Sequence, residues 1–227
     1  MNSKVIKIEA AILALIFTYV TGCTQNDIPS SESKSNFESV IYAFQMEPLE
    51  SEQDMPEELP YIDSGYEDDI IYEITSSTLE GNTNYRIFKY SNSCASYLYY
   101  DDSIYQLGEY FGGYGLTSFV PFDGNDDGKD ELYFTFSWGS GMHRAQAGYF
   151  DPIKKDTIIF SYSYFDKDWI IVKTDDKTLS LYTAEKVNTY KEKTGFAEIM
   201  MSSDRYSKAG AIIFQNDEVI LKLNDDL

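Results

Sequence analysis

Between Leu132 and Trp138 the chain alternates strictly, with Leu132, Phe134, Phe136 and Trp138 interleaved by Tyr133, Thr135 and Ser137. A period of two is the mark of a strand, because successive side chains leave opposite faces, and here it sets four large apolar groups on one face. Phe160, Tyr162 and Tyr164 alternate with Ile159, Ser161 and Ser163 in the same way. Short runs of strand character recur at Asp69–Ile74, Asn84–Tyr90, Ser96–Tyr100, Ile104–Leu107, Thr117–Phe122, Trp169–Lys173, Leu179–Thr183, Phe196–Met201, Gly210–Phe214 and Val219–Leu223. Turn residues separate them, among them Asp101-Asp102, Gly112-Gly113-Tyr114-Gly115, Thr174–Lys177 and Gln215–Glu218. The best helical candidate is Ala184–Lys193. Twenty tyrosines and fourteen phenylalanines suit pleated, half-buried surfaces. The pattern predicts an all-β, mainly antiparallel domain over residues 61–227, built of propeller-blade-like β-meanders or a small β-sandwich.

The N-terminus reads differently. Lys4 and Lys7 precede an apolar run, Ala10–Val20, with Glu9 at its edge. A positive start and a short apolar core make a signal peptide, and eleven residues are too few for a permanent membrane helix. The run closes on Val20-Thr21-Gly22-Cys23, which resembles the bacterial lipobox: aliphatic, small, glycine, then the cysteine that takes diacylglycerol. The resemblance implies lipidation of Cys23, cleavage after Gly22, and a protein anchored to the membrane on its extracytoplasmic face. Two acyl chains suffice for stable anchoring, each buried CH₂ contributing about 0.8 kcal/mol.

Residues 1–22 are thus expected to be leader and residues 23–60 lipidated tether and acidic linker. Thr24–Lys34 is polar and Ser-rich, and Pro48–Pro60 is acidic and punctuated by Pro48, Pro56 and Pro60. The apolar cluster Val40–Phe44 between them fits a short helix or a strand equally well. Net charge is −20, a balance unsuited to nucleic-acid phosphates or an anionic bilayer. With Cys23 lipidated, Cys94 has no internal disulfide partner. No base or cation stands beside it in sequence to activate a thiolate.

Asp123-Gly124-Asn125-Asp126-Asp127-Gly128-Lys129-Asp130-Glu131 carries the clearest chemistry. Asp123, Asn125 and Asp127 put side-chain oxygens at loop positions 1, 3 and 5. Gly128 allows the sharp turn, the carbonyl of Lys129 stands at position 7, and Glu131 closes the set at position 9. A hard cation such as calcium needs such oxygen donors. A twelve-residue EF-hand loop would require a carboxylate where Phe134 stands. The form Asp-x-Asn-x-Asp-Gly-x-x-Glu-Leu running into a strand instead resembles the calcium loops of FG-GAP and VCBS repeats. That likeness implies a structural calcium ion in a blade-like β unit. A single copy is present, and the Phe-Gly/Gly-Ala-Pro signature is absent. The plainer alternative is an acidic turn without an ion.

Trp138-Gly139-Ser140-Gly141-Met142-His143-Arg144 holds the chain's only histidine. A hydrolase built on Ser140 and His143 needs a further group to orient the imidazole and an oxyanion hole, and the sequence displays neither. The segment suits a tight glycine turn, with Trp138, His143 and Arg144 as a ligand-contact patch for a protein or glycan. Tyr97–Tyr100 and Tyr110-Phe111 suit sugar stacking or, more commonly, cross-strand packing. The functional expectation is a lipid-anchored, calcium-stabilised, non-catalytic interaction module; the competing reading is an extracytoplasmic hydrolase or carbohydrate-binding protein using Trp138–Arg144.

Overall fold

The computed structural model describes residues 39–48, 70–75, 84–109, 111–191, 196–204, 207–215 and 218–224, together with Pro56, Leu59 and Leu79. The leader and Cys23 lie outside the described residues. The strands are β1 (Ser39–Pro48), β2 (Ile71–Glu73), β3 (Arg86–Tyr90), β4 (Ser96–Tyr100), β5 (Ser103–Gln106), β6 (Gly115–Phe122), β7 (Glu131–Trp138), β8 (Arg144–Asp151), β9 (Asp156–Ile159), β10 (Tyr164–Phe165), β11 (Asp168–Asp175), β12 (Thr178–Lys191), β13 (Phe196–Asp204), β14 (Lys208–Gln215) and β15 (Glu218–Leu223).

The protein is all-β, and its ladders are antiparallel. One sheet runs β15-β14-β12-β13-β1-β2-β3-β4-β5, with β11 added to β12. A second runs β10-β8-β7-β6, with β9 added to β8. Both sheets are open, and consecutive strands pair as meanders, β2 to β5 and β6 to β9. Asp101 and Asp102, with φ of 50° and 57°, form the tight turn between β4 and β5, as hairpin geometry demands of its two central residues.

β7 is the middle of the core. Its Leu132, Phe134 and Phe136 pack with Ile87 and Leu98 of β3 and β4. Its Tyr133 joins Trp169 and Ile171 of β11, Leu179 and Leu181 of β12 and Ile212 of β14. The expected alternation holds, but both faces are buried rather than one: Tyr133, Thr135 and Ser137 are as enclosed as the phenylalanines. The reason is the approach of β11. A β-bulge between Leu116 and Ser118 turns Thr117 and Ser118 toward the face that carries Thr135. These small hydroxyls let the backbone of β11 come close.

Three sequence readings are corrected, and one left open is decided. Of the helical candidate Ala184–Lys193, the described part, Ala184–Lys191, is strand: β12 continues to Lys191, its first half pairing with β11 and β14 and its second with β13. The ladder with β13 over Glu185–Lys191 outweighs a weak helical propensity. The aromatic alternation at 159–164 is not one strand, since β9 ends at Ile159 and β10 begins at Tyr164. Tyr162 and Tyr164 instead stack on Trp169, with ring centroids 6.3 and 6.0 Å away. Val40–Phe44 is strand, and β1, which falls in the expected tether, pairs with β13 and with β2. The paired sheet therefore begins at Ser39 and not near Tyr61.

Candidate functional site

The two chemistry-bearing segments of the sequence sit at opposite ends of β7, about 25 Å apart for an eight-residue strand. The loop 123–131 joins β6 to β7, and the hairpin turn 139–143 joins β7 to β8.

In the acidic loop, side-chain oxygens face backbone amides. Asp123 accepts from the N–H groups of Asp127 (3.1 Å) and Gly128 (2.9 Å). Asn125 Oδ1 accepts from Asp127 N–H, and Asp127 Oδ1 from Lys129 N–H, both at 2.9 Å. Glu131 closes the loop: Gly124 N–H donates to one carboxylate oxygen at 3.1 Å and the Asn125 amide to the other at 2.8 Å. These contacts draw Asp123, Asn125, Asp127 and Glu131 into one set of short-range partners. Gly128, with φ of 86°, occupies the left-handed region the turn requires. Gly124 is demanded by packing, because a Cβ there would lie 2.1 Å from the Phe214 ring.

Glu131 is only 3% exposed. Burial, reinforced by the charge of Asp127, pushes its carboxyl above the usual range, although Gly124 N–H and the Tyr133 hydroxyl oppose the shift. Asp126 points away to an ion pair with Lys177 at 2.6 Å, and Tyr85 holds the Asp130 carbonyl at 2.6 Å. The lip of the loop opens on a pocket of about 300 Å³ lined by Tyr85, Tyr100, Asp123, Lys129 and Asp130. Among the described residues, no group of three or more His, Cys, Asp and Glu side chains stands as a metal-holding cluster. The donors of this loop also include an amide oxygen and a peptide carbonyl, and the all-oxygen set fits a hard cation in kind.

The other end divides residues that the sequence placed together. Arg144 is held between two rings, its guanidinium carbon 4.7 Å from the centre of Trp138 and 4.9 Å from that of Phe165. Trp138 Nε1 donates to Gln146 at 2.9 Å. His143 turns to a different set of neighbours: its Nδ1 is 3.4 Å from Asp168 Oδ2, and Tyr114 packs edge-on against the imidazole at 4.6 Å. Asp168 is 6% exposed, and its other oxygen, Oδ1, has no hydrogen-bond partner. Ser140 is exposed, and no hydrogen bond joins it to His143 among the described residues. The group that orients the histidine, absent from the local sequence, is thus Asp168, twenty-five positions away. Its only sequence signal was a place at the head of the Trp169 strand. Cys94 is half-buried in a left-handed backbone conformation, φ 59°.

No family model, no curated protein and no solved structure matches the chain.

Proposed function

We propose that this chain is an exported bacterial lipoprotein, anchored through Cys23 on the extracytoplasmic face of a membrane. Its β domain, stabilised by calcium at the Asp123–Glu131 loop, is a non-catalytic module that binds a protein or glycan. The observation that supports the calcium part is that Asp123, Asn125, Asp127 and Glu131 all direct side-chain oxygens at groups of one nine-residue turn. Asp123, Asn125, Asp127, Glu131 and the Lys129 carbonyl would hold the ion. The ion would offset part of the turn's negative charge and fix the start of β7. The blade-like meanders around the loop suit its likeness to FG-GAP and VCBS loops. An ion that binds only the folded state stabilises it by about 1.4 kcal/mol at ten times Kd. Calcium at millimolar concentration should therefore raise the melting temperature by roughly 3–5 °C, and Asp127→Ala should erase most of the rise. Identical melting curves with calcium and with chelator would leave the loop an acidic turn.

A second reading is favoured by one contact. The His143–Asp168 pair supplies the orienting carboxylate that a histidine base needs, which keeps an extracytoplasmic hydrolase in view. Turnover of ester or glycoside substrates that disappears in His143→Ala, and survives removal of calcium, would decide for the enzyme.

A further inference from the structure

Of the seven exposed large apolar side chains among the described residues, Phe111 (68% exposed), Met142 (53%) and Tyr162 on loops and Phe165 (49%) in β10 lie at the hairpin end of β7. Ile70 adjoins the same end. The Ser91 N–H donates to its carbonyl, and β3 ends there with Lys89 Nζ donating to the carbonyl of Tyr114. Hydrogen bonds join the loops into one surface: Gly139 N–H donates to the Phe111 carbonyl at 2.6 Å, and Asp166 N–H to that of His143 at 3.0 Å. Exposed apolar side chains gathered at one end of a domain mark a surface that meets a protein or a membrane.

The charges favour one of these. On the loops 108–114, 139–144 and 161–168, Glu109 and Asp166 are offset by Arg144 and Lys167, and the buried Asp168 faces His143. Five of the chain's acids, Asp123, Asp126, Asp127, Asp130 and Glu131, stand instead in the turn at the opposite end of β7. The tip is therefore apolar, aromatic and near neutral, with two cations at its rim, on a chain of net charge −20. Phe111 and Met142 stand at turn tips shaped by Gly112, Gly139 and Gly141, whose φ values are all positive. Side chains spread over separate convex turns suit a deformable interface better than a rigid groove.

We propose that this end docks on the interfacial layer of a zwitterionic lipid bilayer. Phe111, Met142 and Phe165 enter among the upper acyl carbons, and Arg144 and Lys167 reach the headgroup phosphates. The contact is independent of Cys23 and adds to any lipid anchor.

The test uses the unlipidated polypeptide of residues 24–227, which lacks the apolar leader and Cys23 but keeps every described strand, with phosphatidylcholine vesicles as the probe. It should sediment with the vesicles. The emission of Trp138 should shift to the blue, while Trp169, fully buried, reports no change. Anionic phosphatidylglycerol in the vesicles should weaken binding, because the acidic body is repelled. The double variant Phe111→Ser/Phe165→Ser should lower partitioning about tenfold or more at an unchanged melting temperature. Ile153→Ser, an exposed apolar position in the β8–β9 turn, should leave it unaltered. A protein that stays in the supernatant at millimolar phosphatidylcholine overturns the proposal. So does binding that the double variant does not reduce, or that Ile153→Ser reduces equally.

Discussion

The carbonyl oxygen of Trp169 accepts a 2.8 Å hydrogen bond from the hydroxyl of Thr117. Thr135 reaches the same oxygen at 3.0 Å, and the Ile171 N–H donates to Ser118 at 2.8 Å. With Ser118 donating to Thr135, every proton in the group is used once. On the edge of β11 that does not face β12, the buried Trp169 carbonyl and Ile171 N–H are therefore satisfied, by hydroxyls that the β6 bulge and β7 bring to one face. A sheet edge enclosed without such partners costs about as much as lost hydrogen bonds.

Thr117→Val and Thr135→Val keep shape and remove the donor, and each should destabilise the domain by about 1–3 kcal/mol in urea unfolding. The double variant should cost less than the two single changes together, since both serve one acceptor. Strict additivity would mean that the carbonyl is not shared.

Glu131 gives a pH signature. Its carboxyl is raised in the folded state by burial first and by Asp127 second. In chelator, its contribution to stability is fully present below the ordinary glutamate value and is lost as pH rises through the folded value. Glu131→Gln should abolish that segment of the pH–stability profile. A profile of the variant parallel to wild type between pH 4 and 7 would contradict the assignment.

His143→Ala leaves Asp168 buried without the imidazole, and about 1–3 kcal/mol should be lost. In a double-mutant cycle with Asp168→Ala, the two positions should couple, because the second change removes the carboxylate that the first left unpaired. Zero coupling energy would make the 3.4 Å approach incidental.

On the proposed lipobox reading, replacing Cys23 with Ser removes the only atom to which a lipid would attach. Mass spectrometry should show no acyl adduct on the variant, and the mature chain should lose the detergent-phase partitioning that the two acyl chains confer. Acylation that persists in Cys23→Ser would refute the lipobox reading.

What could be read from the sequence followed local physics. Period-two alternation located β7, and Ser96–Tyr100 is β4 residue for residue. The spacing of Asp123, Asn125, Asp127 and Glu131 picked out side chains that all accept hydrogen bonds from groups of the same turn. What escaped was non-local. The strand character of Val40–Phe44 depends on a partner at the other end of the chain. The run Ala184–Lys191 is extended because β13 pairs with it. Asp168 meets His143 only through the turn that brings β10 and β11 beside the β7–β8 hairpin, and Gly124 matters because of Phe214. Leu132–Trp138 announced its apolar face but not the strand that would cover its polar one, since nothing in its own residues names Trp169 as the neighbour of Thr135.

Strand β1 sits between β13 and β2, so that Ser39 pairs with Asp204 and Met46 with Ala197. The sheet can be completed only after nearly the whole polypeptide has been delivered, because its first strand needs a partner near the last. Pairings this far apart in sequence form slowly, as a long loop must be closed before they return any energy. An emerging β1 can pair with β2 at Glu47 and Pro48, but Ser39–Met46 have no partner among the described residues until β13 has been made. The order of strands thus acts as a timer, holding the final closure of the large sheet until residues 196–204 have been made.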